Sequence, residues 1–247
     1  MNENIDDRLN SIKELLQSGE NGNYSLAIAY KSLSDMFQAA PEHRKDILET
    51  MKIVLQLEAM KTVPQSDGNY DEDGNYDEDG NYDEDGNYDE DDRNYNSLEQ
   101  AYVSLSDMFQ AAPEHRKDII ETMKTVLQSD KNDDYSLAQA YESLSNMFQA
   151  TPEYKKDIFE TMKTVLQSDK NNSYSLEKAY KSLSDMFQAA PEYRKDIFET
   201  MKTLLQSDRN YYNSLEQAYK SLSDMFQAAP EYRKDILETM KTVLQSD

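Results

Sequence analysis

The sequence predicts an all-α fold: a right-handed solenoid of helical hairpins with a 39-residue period, an N-terminal capping helix and one disordered acidic insert. Three observations lead there. The phrase SLEKAYKSLSDMFQAAPEYRKDIFETMKTLLQSD, residues 175–208, returns nearly verbatim from Ser25, Ser97, Ser136 and Ser214. Five of the six prolines (Pro41, Pro113, Pro152, Pro191, Pro230) stand at the same place within it. Period-two alternation, the mark of a half-buried strand, is missing throughout.

Within each copy the apolar residues fall on one helical face, twice. In the copy from Ser175, Leu176, Ala179, Tyr180, Leu183, Met186 and Phe187 are spaced by threes and fours. The helix stops at Ala189-Ala190-Pro191, because the residue before a proline is driven out of the α region. Proline also suits the opening turn of the next helix, where its missing N–H is no loss. Glu192 follows, a carboxylate at the positive end of the helix dipole. Tyr193, Ile197, Phe198, Met201, Leu204 and Leu205 then make the second stripe, and a polar linker closes the repeat.

The chain divides accordingly. Residues 1–24 read as half a repeat, a capping helix with Leu9, Ile12, Leu15 and Leu16 on one face. Solenoid ends need such a cover for their stacking surface. Repeat 1 spans 25–66, the acidic insert 67–96, and repeats 2 to 5 span 97–135, 136–174, 175–213 and 214–247, all as one continuous array. The starts at Ser97, Ser136, Ser175 and Ser214 are 39 residues apart, but Ser25 precedes Ser97 by 72. Of the 33 extra residues, 24 are four copies of Gly-Asn-Tyr-Asp-Glu-Asp (68–91). The other nine are an echo in the second helix of repeat 1, where Glu49–Gln56 is repeated as Glu58–Gln65. Nine residues make two and a half helical turns, so Met60 faces away from Met51. The echo is therefore expected to prolong that helix past the array as far as Pro64.

Paired helices with a proline turn at this period resemble HEAT-type α-solenoids, and the words that carry the likeness are Pro191-Glu192-Tyr193-Arg194-Lys195 and their equivalents. The family's usual valine after the glutamate is Tyr or His here, and the turn lacks its common Asp. What the resemblance implies is a protein-binding scaffold with no particular ligand.

Composition narrows the function. The net charge is −23 and the mean hydropathy −0.93. Nucleic-acid binding needs clustered Lys and Arg, so neither nucleic acid nor an anionic membrane surface is an expected partner. A basic protein partner or a cation is compatible with the charge. Cysteine is absent, which removes thiol chemistry and cysteine metal sites. The polar start, Met1–Arg8, does not read as a secretory signal, and no apolar run approaches the ~20 residues that span a bilayer. A cytoplasmic protein is expected, with non-classical secretion left open.

No cofactor and no catalytic residue is expected. His43 and His115 occupy the slot filled by Tyr154, Tyr193 and Tyr232 in the other repeats, so they read as packing residues. The Tyr and Met stripe reads as core, with some tyrosine hydroxyls at its rim. In the insert, Asp67, Asn69 and Asp71 reproduce the first ligand spacings of a calcium loop, but Glu72 stands where that loop needs glycine. The same insert would suit capture of basic proteins, or tyrosine phosphorylation at Tyr70, Tyr76, Tyr82 and Tyr88. The plainest reading is a solvated linker enlarged by slippage.

A partner surface is sought where the copies differ. On the first helices those positions are Lys31, Val103, Glu142, Lys181 and Lys220, together with Gln100, Gln139, Lys178 and Gln217. The expected function is a non-catalytic protein-interaction scaffold, with self-association open. The alternative is a regulatory module whose insert binds Ca2+ or basic proteins, or is phosphorylated.

Overall fold

A computed structural model describes residues 5–17, 22–60, 97–207 and 212–244, and these contain helices and no strand. Helix α1 (Ile5–Gln17) comes first. Five pairs follow: α2 (Asn23–Ala39) with α3 (Arg44–Met60), α4 (Ser97–Ala111) with α5 (Arg116–Leu127), α6 (Asp134–Ala150) with α7 (Lys155–Leu166), α8 (Ser173–Ala189) with α9 (Arg194–Leu205), and α10 (Tyr212–Ala228) with α11 (Arg233–Leu244). Each pair packs as a hairpin, and each first helix packs on the next first helix in the chain. The arrangement is compatible with a solenoid. Helix α1 lies against α3 and buries Leu9, with Ile5 and Ile12 partly covered.

Local chemistry sets the helix ends. Helices α2, α6, α8 and α10 start two residues ahead of the repeated phrase. Asp133 and Asn172 are N-caps, and the repeated serine sits at the third helical position. Ser136 N donates to Asp133 Oδ1 at 2.8 Å, while Ser136 Oγ accepts from Asp133 N at 2.9 Å. This reciprocal pair satisfies two otherwise orphaned donors. Between the helices of four pairs, Pro-Glu-His or Pro-Glu-Tyr forms a single 3₁₀ turn (for example Pro191–Tyr193) before the α-helix begins at Arg194. The third pair has no such turn: there Thr151 is extended and its hydroxyl accepts from Glu153 N.

The two rows of helices are spaced differently, for a visible reason. Where first helices meet, small buried serines stand at the contact: Ser104, Ser143, Ser182 and Ser221. Ser145 Oγ donates to Ser182 O at 3.5 Å and Ser184 Oγ to Ser221 O at 3.3 Å, so the backbones come close. Where second helices begin, aromatic rings of the turn and of both helices in the preceding pair intervene. Phe148 and Phe159 both meet Tyr193 of the following repeat edge-on, at 5.6 and 6.3 Å, and Phe187 and Phe198 meet Tyr232 in the same way. Small residues on one side and rings on the other act as a wedge. The second helices consequently contact one another far less than the first ones do.

The core tyrosines do not keep their hydroxyls at a rim, as the sequence suggests; Tyr30, Tyr102, Tyr141 and Tyr180 are fully buried. Such hydroxyls need partners. Tyr102 donates to Asn132 Oδ1 and Tyr141 to Asn171 Oδ1, each at 2.6 Å. Both asparagines come from the linkers and are themselves buried. Their amide nitrogens donate to main-chain carbonyls that end the second helix, Val126 O and Ser129 O in one case, Val165 O and Ser168 O in the other.

In the first pair a carboxylate takes that place. Helix α3 runs on into the start of the echo, as far as Met60, and the echo does not simply leave the array: Glu58 is buried. It accepts from Tyr30 Oη and from Ser97 Oγ, and Lys131 Nζ donates to its main-chain carbonyl. Counting apolar faces misses this, because a polar residue at the right turn meets an unsatisfied hydroxyl. Pro64 and the insert lie outside the described residues.

Glu58→Ala would leave two buried hydroxyls without their acceptor, at a cost of about 1–3 kcal/mol in urea unfolding. Glu58→Gln keeps an acceptor and is expected to lose less. No loss with alanine would mean that burying the carboxylate costs as much as its bonds return.

Candidate interaction surfaces

The first-helix candidates form a line, since each pair such as Gln100 and Val103, or Lys178 and Lys181, is separated by three residues and shares a helix face. Lys31, Glu142, Lys181 and Lys220 are exposed, and Val103 is half-buried. Three of these charges are already paired along their own helices: Lys31 with Asp35 at 3.8 Å, Lys181 with Asp185 at 2.6 Å, Lys220 with Glu216 at 2.7 Å. The hydrogen bond from Lys220 to Glu216 raises the lysine above its ordinary value. Gln100, Gln139 and Gln217 are half-buried, and each donates to a serine hydroxyl one turn on: Ser104, Ser143 and Ser221. Lys178 lies over the ring of Tyr174, 6.0 Å from its centre. Tyr174 in turn meets Tyr135 at 5.1 Å, and both rings are largely exposed. Much of this row's hydrogen-bonding capacity is therefore spent within the helices.

A second surface went unnoticed in the sequence. The wedge opens a groove between each pair of successive second helices. Between α3 and α5 it is lined by Leu55, Leu98, Asp118, Thr122, Thr125 and Val126, and holds about 240 Å³. Matching grooves of about 360, 280 and 290 Å³ lie between α5 and α7, α7 and α9, and α9 and α11. Their linings are equivalent positions of successive pairs, Lys, Leu and Gln from one helix and Thr with an aliphatic residue from the next; the steps are 39 residues except on the α3 wall, which lies 72 before its counterpart. The signal lay in the sequence as identical copies, but helical periodicity alone does not say which neighbouring helices separate.

The remaining predicted positions do not gather into a site. His115 packs edge-on against Phe37 at 5.8 Å, as Tyr154 does on Phe109, and His43 Nδ1 lies 3.7 Å from Asp6 on α1. Asp67, Asn69, Asp71 and the tyrosines of the insert lie outside the described residues. Among the described residues no group of three or more His, Asp or Glu could hold a metal ion, and no helix is long and apolar enough to cross a membrane.

Charged staples join the pairs at their turns. Arg44 Nε donates to Phe37 O in its own pair, and Arg44 Nη1 reaches Glu114 of the next at 2.7 Å. Arg194 repeats this with Phe187 O and Glu231. Lys155 stands where the other pairs have arginine; it is buried, 3.2 Å from Glu192. Glu114, Glu192 and Glu231 are held below the ordinary carboxylate value of 4.5, first by their own main-chain N–H and then by these cations. Burial raises Glu99, beside Asp133 and Asp134, and it raises Asp107.

Comparison with known proteins gives no match: no family model, no curated protein and no solved structure matches this chain. The likeness to HEAT-type repeats thus rests on the helical-hairpin arrangement and the proline turn alone.

A carboxylate with a lowered value stabilises the fold above its ordinary value, and that stabilisation fades as pH falls through the lowered one. The triple variant Glu114→Gln, Glu192→Gln, Glu231→Gln should therefore show a shallower fall of Tm below pH 4.5 than the parent protein. Equal slopes would remove the staples from the acid response. Glu99 and Asp107 push the other way in both proteins, so the difference isolates the three glutamates.

Proposed function

We propose that this chain is a right-handed α-solenoid with a 39-residue period, and that it serves as a non-catalytic scaffold for a protein partner. The observation that carries the reading is the periodic surface. Two parallel features, a row of first-helix side chains and a row of grooves, repeat along one array, while the interior tyrosines Tyr102 and Tyr141 are bonded to buried asparagines. A surface of this kind presents equivalent contacts at equal steps to an elongated partner. The histidines are engaged in ring and helix contacts, which supports a role in packing. The net charge of −23 favours a partner that is basic.

The test is deletion of residues 68–91. Helicity by circular dichroism, Tm and capture of the partner are expected to survive it. Loss of capture with intact helicity would move the function into the insert. Calcium titration of the parent protein, followed by calorimetry, is expected to give no heat; a saturable heat would favour the sensing module.

A further inference from the structure

The grooves between second helices have a consistent chemistry. Their floors are aliphatic: Leu55 and Val126 in the first, Leu127 and Val165 in the second, Leu205 and Val243 in the last. Each of these three grooves also carries an aspartate, Asp118, Asp157 and Asp235 in turn. The lysine on the facing wall is not the partner of that aspartate. Lys52 is engaged by Glu49 at 2.8 Å, Lys124 by Glu121 at 2.8 Å and Lys202 by Glu199 at 2.8 Å, each within its own helix. Among the described residues Asp118, Asp157 and Asp235 have no cationic partner. The threonine hydroxyls are spent as well, as Thr125 and Thr164 donate to main-chain carbonyls one turn back.

We propose that these grooves bind a basic polypeptide in extended conformation, each taking the aliphatic stem of one lysine or arginine with its cationic head on the groove aspartate. The inference rests on the scaffold reading and names the partner's chemistry and seat. An aliphatic floor with a carboxylate is the complement of a long side chain that buries its methylenes and keeps its charge at the edge. Acidic peptides, phosphates and fatty acids would meet an unpaired carboxylate. Second-helix axes stand apart by at least the ~8–10 Å of packed helices. A chain in the extended polyproline II form advances about 3.1 Å per residue with three residues per turn, so every third side chain returns to one face about 9 Å on. One cationic side chain in every three residues therefore keeps step with one groove after another. The excess negative charge of the whole chain speeds the encounter without choosing the seat.

The probe is a labelled synthetic peptide of about 18 residues, with lysine at every third position and serine between, titrated into the full chain at fixed salt. Two charge-matched variants are compared. The first neutralises the three groove aspartates (Asp118→Asn, Asp157→Asn, Asp235→Asn), and the other neutralises three on the first helices (Asp107→Asn, Asp185→Asn, Asp224→Asn). The groove set should weaken binding about tenfold or more, and the first-helix set by less than about twofold. An uncharged block, Thr125→Tyr with Thr164→Tyr, should also weaken binding while circular dichroism stays unchanged. Equal weakening by both aspartate sets would reduce the attraction to bulk charge and overturn the inference. So would absence of binding by the parent protein. Either result leaves the scaffold reading standing, because that reading is tested by partner capture after deletion of the insert.

Discussion

The side chain of Asn132 is buried, and it finds its partners in different parts of the hairpin. Its oxygen accepts from Tyr102 on the first helix, and its amide closes the end of the second helix at Val126 O and Ser129 O. Ser136, in the first turn of the next helix, stands 3.4 Å from the same oxygen. One amide thus fixes where a repeat ends and where the next begins. Asn171 does the same 39 residues on, with Tyr141, Val165 and Ser168. A buried amide bonded on both sides is costly to disrupt, because each broken bond strands a group away from water. Apolar stripes bring the helices together; they do not by themselves choose among neighbouring registers. The asparagine does.

The first hairpin shows that the constraint lies in the bond and not in the residue type. There helix α3 runs on to Met60, and the acceptor is Glu58, 28 residues after Tyr30 in place of the 30 that separate Tyr102 from Asn132. The insert begins only after that acceptor is in place and rejoins at Ser97, which is bonded to the same carboxylate. In sequence the insert falls between that acceptor and Ser97, so the bond that sets register is made by residues on either side of it.

The repeat, its two helices and the proline turn were legible in the sequence because they depend on spacing alone. The core residues Leu176, Tyr180, Met186 and Phe187 are where the stripe put them. What spacing did not reveal was the burial of Asn132, Asn171 and Glu58. Hydropathy treats an asparagine in a linker as solvated, and only the unmet hydroxyl of a buried tyrosine says otherwise. The grooves were hidden for a related reason. They follow from serines on one side of the hairpin and rings on the other, a difference in volume between two stripes that both read simply as packing. The variable first-helix positions, in contrast, were easy to see in the sequence, yet the structure finds many of them already bonded to their own helix.

The register of the array depends on the coupling between tyrosine and asparagine. A double-mutant cycle with Tyr141→Phe and Asn171→Ala, read by urea unfolding, measures it directly. A shared bond that sets the register predicts a coupling of about 1 kcal/mol or more, with the double variant less destabilised than the sum of the single ones. Additivity within about 0.3 kcal/mol would show that the two side chains act independently, and the asparagine would then be an ordinary helix stop.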